Sequence, residues 1–160
     1  MRRAALLFAL LICLLDPRAA AAQELYRLAG MVPLLPMSEG VHEDIDTLVA
    51  KLWPRYFNAP GPQGFTSSQL RVGRVDLDGD GKAELVVMID SPAWENDKGK
   101  PFVVANWTRS GWRAVGWGFG DDDSVFITGE VLNGWVSIDT PRQWLRFDGK
   151  AYRAEDKPQG

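Results

Sequence analysis

The chain carries one cysteine, Cys13, and one histidine, His42. A lone cysteine excludes an internal disulfide, and so few sulfur and imidazole donors exclude the clusters that hold zinc or copper. Charge of one sign is also scarce. The 18 Lys plus Arg and 21 Asp plus Glu leave a net charge of −3, which excludes a broad basic face for nucleic acid. Only Ala4 to Leu15 forms a long apolar run, and its twelve residues rise about 18 Å as a helix, too little to span a bilayer. No Gly-x-Ser-x-Gly elbow occurs, and Gly118-Phe119-Gly120 opens no helix, so neither a serine-hydrolase nor a dinucleotide-binding turn is indicated. At 160 residues the chain is too short for a TIM barrel or a two-domain cofactor enzyme. Its 46% hydrophobic and 24% charged residues are a globular balance.

What is present begins with a targeting pattern. Arg2 and Arg3 precede the apolar run, Asp16-Pro17-Arg18 breaks it, and Ala19 to Ala22 supplies small residues. This order predicts a signal peptide over residues 1–22, cleaved near Ala22, and a periplasmic or secreted product of bacterial type. Removing 22 of 160 residues leaves 138. It takes away Arg2, Arg3, Arg18, Asp16 and Cys13, so 15 basic and 20 acidic residues remain, a net −5. No further stretch has transmembrane length. An exported domain without a disulfide must be held by its core, or by a metal.

Residues 23–38 read as an extended lead-in, with Pro33 and Pro36 opposing regular structure. Residues 39–160 read as a single β-rich domain. Ser38 offers an N-cap, and Val41, Ile45, Leu48, Val49 and Leu52 recur at helical spacing. One helix is expected from about Glu39 to Trp53, ended by Pro54. Beyond Leu70 the pattern turns to short strands. Leu85 to Ile89 is continuously apolar, as in a buried strand. Arg109-Ser110-Gly111, Asn133-Gly134 and Asp148-Gly149 separate three pairs of β runs, and the Asn-Gly and Asp-Gly pairs suit type I′ turns. The expected fold is α+β, predominantly β: a helix packed on an antiparallel meander of about six to seven strands, as a sandwich or small barrel. The seven Trp, all at residue 53 or later, are expected mainly in core and cross-strand packing.

The specific chemical signal is Asp76-Leu77-Asp78-Gly79-Asp80-Gly81-Lys82-Ala83-Glu84, followed by Leu85-Val86-Val87. Acids at alternate positions let a tight loop point its oxygens at one centre, and Gly79 and Gly81 permit the turn. Hard oxygen donors without Cys or His select Ca²⁺. Over Val72 to Ile89 the loop resembles the FG-GAP or integrin-type calcium repeat, whose Asp-x-Asp-x-Asp-Gly-x-x-Asp loop runs into an apolar strand. An EF-hand would place an acid at the twelfth position and leave through a helix. Here that position is Val87, and the exit is a β run. The resemblance implies side-chain oxygens from Asp76, Asp78, Asp80 and Glu84 and the main-chain carbonyl of Lys82. With one such loop it implies a calcium site and not a whole propeller.

Other constellations are weaker. Asp121-Asp122-Asp123 reads as a solvated tip or a second cation site, and His42 as a surface residue. The expected function is a calcium-binding module whose partner is a protein or a cell-envelope glycan, with Trp94, Trp117 and Trp135 as candidate contacts. A small hydrolase using acids among Asp121 to Asp123, Glu84, Glu95 and Glu130, or a secreted enzyme inhibitor, remains open. No catalytic residue is assigned.

Overall fold

In a computed structural model, residues 30–37 and 43–158 are described. The signal segment, its cleavage point, the first part of the expected helix and His42 lie outside the described residues. Ten strands and one α-helix are found among the described residues. They are β1 (Gly30–Met31), β2 (Leu35–Pro36), α1 (Glu43–Leu52), β3 (Leu70–Val75), β4 (Glu84–Ile89), β5 (Lys100–Thr108), β6 (Gly111–Gly120), β7 (Phe126–Leu132), β8 (Trp135–Asp139), β9 (Gln143–Phe147) and β10 (Tyr152–Asp156). Short 3-10 turns span Ser67–Gln69 and Pro92–Trp94.

The strands form two antiparallel five-stranded sheets, ordered β2-β3-β4-β5-β6 and β1-β7-β8-β9-β10. Their facing sides share one core. Val86, Met88, Phe102 and Val104 come from the first sheet, and Ile127, Val136, Ile138, Leu145 and Tyr152 from the second. The fold is therefore a sandwich and not a closed barrel. The other side of the first sheet carries α1. Ile45, Leu48 and Val49 of the helix pack with Leu85, Val87, Ile89, Val103 and Ala105. This middle position explains β4: all six of its residues are buried, because even positions face one core and odd positions the other. The continuous apolar run in the sequence is the signature of a strand covered on both faces.

The lead-in is part of this architecture. β1 pairs with β7 and β2 with β3, so residues 30–37 strap one sheet to the other. Val32 and Leu34, between them, are buried in the inter-sheet core. Pro33 and Pro36 do not prevent this, because the strap lies at sheet edges, where a missing N–H leaves no rung unmade. Gly73 makes room for it: a Cβ there would stand 2.6 Å from Val32 Cγ1.

The hairpins fall where the turn residues place them, with one correction. Asn133 and Gly134 both have positive φ, 52° and 85°, as a type I′ turn requires. Of Asp148 and Gly149 only Gly149 does, at 94°, and the Phe147↔Tyr152 pairing leaves residues 148–151 as the loop. Asp148 instead accepts hydrogen bonds from the Lys150 and Ala151 N–H groups, both at 2.9 Å, and from Arg153 Nε at 2.7 Å. Its side chain closes a longer turn, and these bonds hold its carboxyl down at about 2.

Candidate metal centre

The acidic loop joins β3 to β4 at one end of the sandwich. Leu77 is its anchor. Its side chain is wholly buried between the sheets, and its carbonyl accepts the Val136 N–H of β8 at 2.9 Å. Asp76 gathers the loop around itself, accepting the Gly79 N–H at 2.7 Å and the Gly81 N–H at 2.9 Å. Asp78 accepts the Asp80 N–H at 3.1 Å, and Asp80 the Lys82 N–H at 2.7 Å. Gly79 and Gly81 take φ of 74° and 83°, conformations that side-chain-bearing residues rarely adopt.

Glu84, the first residue of β4, lies beneath the loop. It is 4% exposed, and its Oε2 accepts the Leu77 N–H at 2.7 Å. Asp76, Asp78 and Glu84 each offer a carboxylate oxygen, and the three lie within 4.8 Å of one another. Two oxygens on one Ca²⁺ stand at most about 4.8 Å apart, twice a Ca–O distance of about 2.4 Å, and the cluster meets that limit. The cluster can hold a metal ion. Asp80 and Lys82 stand outside this triad. Both are exposed, and their charged groups face each other at 3.6 Å.

The electrostatics carry the mark of crowded acids. Burial pushes the Glu84 carboxyl up to about 7, and the charges of Asp78, Asp76 and Asp80 push the same way against the Leu77 hydrogen bond. Burial also raises Asp78, with Asp80 and Asp76 adding to it. The Tyr152 hydroxyl, which donates to the Val136 carbonyl at 2.6 Å, is raised by burial and then by Glu84 and Asp78. A cation among these oxygens reverses that cost.

One residue near the triad carried no sequence signal. Leu85 pairs with Ala105 in the last rung between β4 and β5, and Asn106 of β5 follows that rung on the side where Glu84 begins β4. Asn106 Oδ1 is buried and has no hydrogen-bond partner. A neutral amide oxygen is a ligand type that Ca²⁺ accepts. Only the pairing register reveals it, and register is not written in the local sequence.

The remaining candidates sort differently. Asp122 is drawn into an ion-pair group: Arg71 reaches it at 3.2 Å and Lys100 at 3.9 Å, while both cations also hold Asp90, at 2.7 and 2.6 Å. Lys100 and Arg71 together hold the Asp90 carboxyl below its usual range. Glu130 accepts Ser137 Oγ at 2.7 Å and Arg146 Nε at 3.0 Å, which lowers its pKa and makes it a poor proton donor. Glu95 is exposed at the end of a 3-10 turn. Neither Asp122 nor Glu130 is placed as a catalytic acid. Trp94 packs edge-on to Trp53, Tyr56 and Phe65, and Trp135 stacks on Phe147 at 4.6 Å. Trp117 is 44% exposed beside Trp53, and Trp107, which the sequence did not single out as a contact, is 50% exposed.

The fold and the loop together define a two-sheet sandwich with, at one end, an acidic cluster that could hold a metal ion. Comparison with known proteins adds no family to that description: no family model matches the chain, no curated protein is similar to it, and no solved structure matches it. No helix among the described residues is long and apolar enough to cross a membrane.

Proposed function

We propose that the protein is a periplasmic or secreted calcium-binding module, with Ca²⁺ held by the loop over 76–84 and serving to lock that loop onto the sandwich. The observation that carries this is the convergence of Asp76, Asp78 and Glu84 oxygens within 4.8 Å over a buried anchor. The ligands are all hard oxygens, as Ca²⁺ prefers, and the orphaned Asn106 Oδ1 adds a neutral one. The signal-type N-terminal sequence supports an extracytoplasmic setting, where sites of about 10⁻⁴ to 10⁻³ M are filled. The role is accessory binding of a protein or an envelope glycan rather than catalysis, since Glu130 and Asp122 are tied down by cations.

Calorimetric titration with Ca²⁺ tests the metal. Wild type is expected to give a saturable heat that Asp78→Ala and Asn106→Ala weaken, the latter by about tenfold. Asp80→Ala, outside the triad, is expected to bind more nearly like wild type. Equal heats for wild type and Asp78→Ala remove the site.

A further inference from the structure

The hairpin of β5 and β6 has no acid in its sequence from Lys98 to Gly120, in a chain that is net negative. β4 pairs with β5 only as far as Leu85↔Ala105. The last rungs, Asn106↔Arg113, Trp107↔Trp112 and Thr108↔Gly111, therefore project beyond that pairing, closed by Arg109-Ser110. Trp107 is half exposed and meets Trp112 edge-to-face at 5.1 Å and 76°. The Arg74 guanidinium lies 5.8 Å from the Trp112 ring centre. Arg74, Arg109 and Arg113 are all exposed, and none makes an ion pair among the described residues. Elsewhere Arg71, Lys82, Lys98, Lys100, Arg146, Arg153 and Lys157 each have an acid within 4 Å, while the other cations without an ion pair among the described residues, Lys51, Arg55, Arg142 and Lys150, lie outside this hairpin.

We propose that this projecting hairpin is an interaction surface for an anionic phospholipid bilayer. Two properties of the tip fit that occupant together. Indole rings favour the membrane–water interface, where an apolar body and an N–H are both accommodated. The unpaired Arg74 beside Trp112, Arg109 in the turn and Arg113 on the other face of the ribbon meet the negative surface potential of anionic headgroups. Other partners fit less well. The two indoles are nearly perpendicular and offer no coplanar platform for a sugar chain. Two arginines on the tip and Arg74 of β3 beside it give no continuous basic groove for a nucleic-acid strand. The inference does not rest on the metal, since none of these five residues belongs to the triad.

The test is co-sedimentation with vesicles of equal parts phosphatidylglycerol and phosphatidylcholine, against vesicles of phosphatidylcholine alone. The protein is purified from the expressing cell, so it carries whatever processing the cell applies, and chelator is present throughout. Wild type is expected on the anionic vesicles and not on the neutral ones. At about fivefold per arginine near a charged surface, Arg109→Ser with Arg113→Ser is expected to weaken partitioning about 25-fold. Trp107→Ala is expected to weaken it as well and to abolish a blue shift of tryptophan emission on binding. All three positions are exposed, so thermal melts matching wild type establish that the variants fold. Failure of wild type to bind anionic vesicles overturns the proposal, as does undiminished binding by the variants. Binding to a single-stranded oligonucleotide or to polyglutamate in place of vesicles overturns it too. Binding that appears only when Ca²⁺ replaces chelator, and ignores the arginine substitutions, assigns the membrane contact to the acidic loop and overturns the hairpin.

Discussion

An anionic Glu84 under the acidic loop is costly, because it gives up water and faces Asp76 and Asp78 at short range. Without a cation the native state relieves that cost by taking a proton. The folded pKa of about 7 lies above the ordinary 4.5, so the native state binds this proton more tightly than the unfolded chain does. Stability from this source is complete below about 4.5 and is lost as pH rises through about 7. At 1.36 kcal/mol per pH unit the loss is on the order of 3 kcal/mol. In chelator, the wild-type midpoint relative to Glu84→Gln is therefore expected to fall between pH 5 and pH 8. Glutamine keeps an acceptor for the Leu77 N–H and has no charge to bury. A constant difference between the two proteins across that range contradicts the assignment. In Ca²⁺ the sign reverses, since the metal competes with the proton, and affinity is expected to rise with pH over the same window. The composition of this site was legible in the sequence, because Asp76, Asp78 and Glu84 are close along the chain. The unpartnered Asn106, proposed above as a further ligand, was not, since it belongs to another strand.

At the scale of elements, glycines set how closely the two sheets approach. A Cβ on Gly116 of β6 would stand 2.5 Å from Tyr152 Cβ of β10, and one on Gly118 would stand 2.7 Å from Phe102 Cζ and 2.9 Å from Leu145 Cδ2. Gly116→Ala is expected to push β10 outward and cost about 1 to 3 kcal/mol in a urea melt. Gly111, closing the Arg109-Ser110 turn with open space at its Cβ and φ of 95°, is needed for a different reason, its backbone conformation. An unchanged midpoint for Gly116→Ala means the sheets have slack that the packing distances deny. The elements themselves were largely legible. Helical spacing of Ile45, Leu48, Val49 and Leu52 and the Asn133-Gly134 turn are local properties, and the structure has α1 and a type I′ hairpin there. The Gly116 contact, the strap of residues 30–37 and the longer turn at Asp148 were not, because each depends on a partner distant in sequence or on a side chain capping its own loop.

At the scale of the molecule, the acidic loop is a link between layers. Leu77 enters the core shared by both sheets, its carbonyl bonds Val136 of the second sheet, and its N–H bonds Glu84 of the first. A sandwich was one of the two forms expected from the sequence, but where its sheets divide was hidden, because consecutive hairpins look like one meander; the break falls between β6 and β7, at residues 121–125. A cation in the loop therefore fixes a cross-sheet contact, and unfolding must release it. Binding to the native state alone adds RT ln(1 + [L]/Kd), about 2.7 kcal/mol when Ca²⁺ is 100 times Kd. For a domain of this length about 3 °C accompanies each kcal/mol, so the midpoint is expected to rise by about 8 °C between excess chelator and saturating Ca²⁺. Asp78→Ala is expected to abolish most of that rise. Mg²⁺ at the same concentration is expected to give less of it, because it demands shorter bonds and a strict octahedron and gives up its waters reluctantly. A calorimetric melt that shows no shift with Ca²⁺ leaves the loop held by its own hydrogen bonds and removes the metal from the stability of the sandwich.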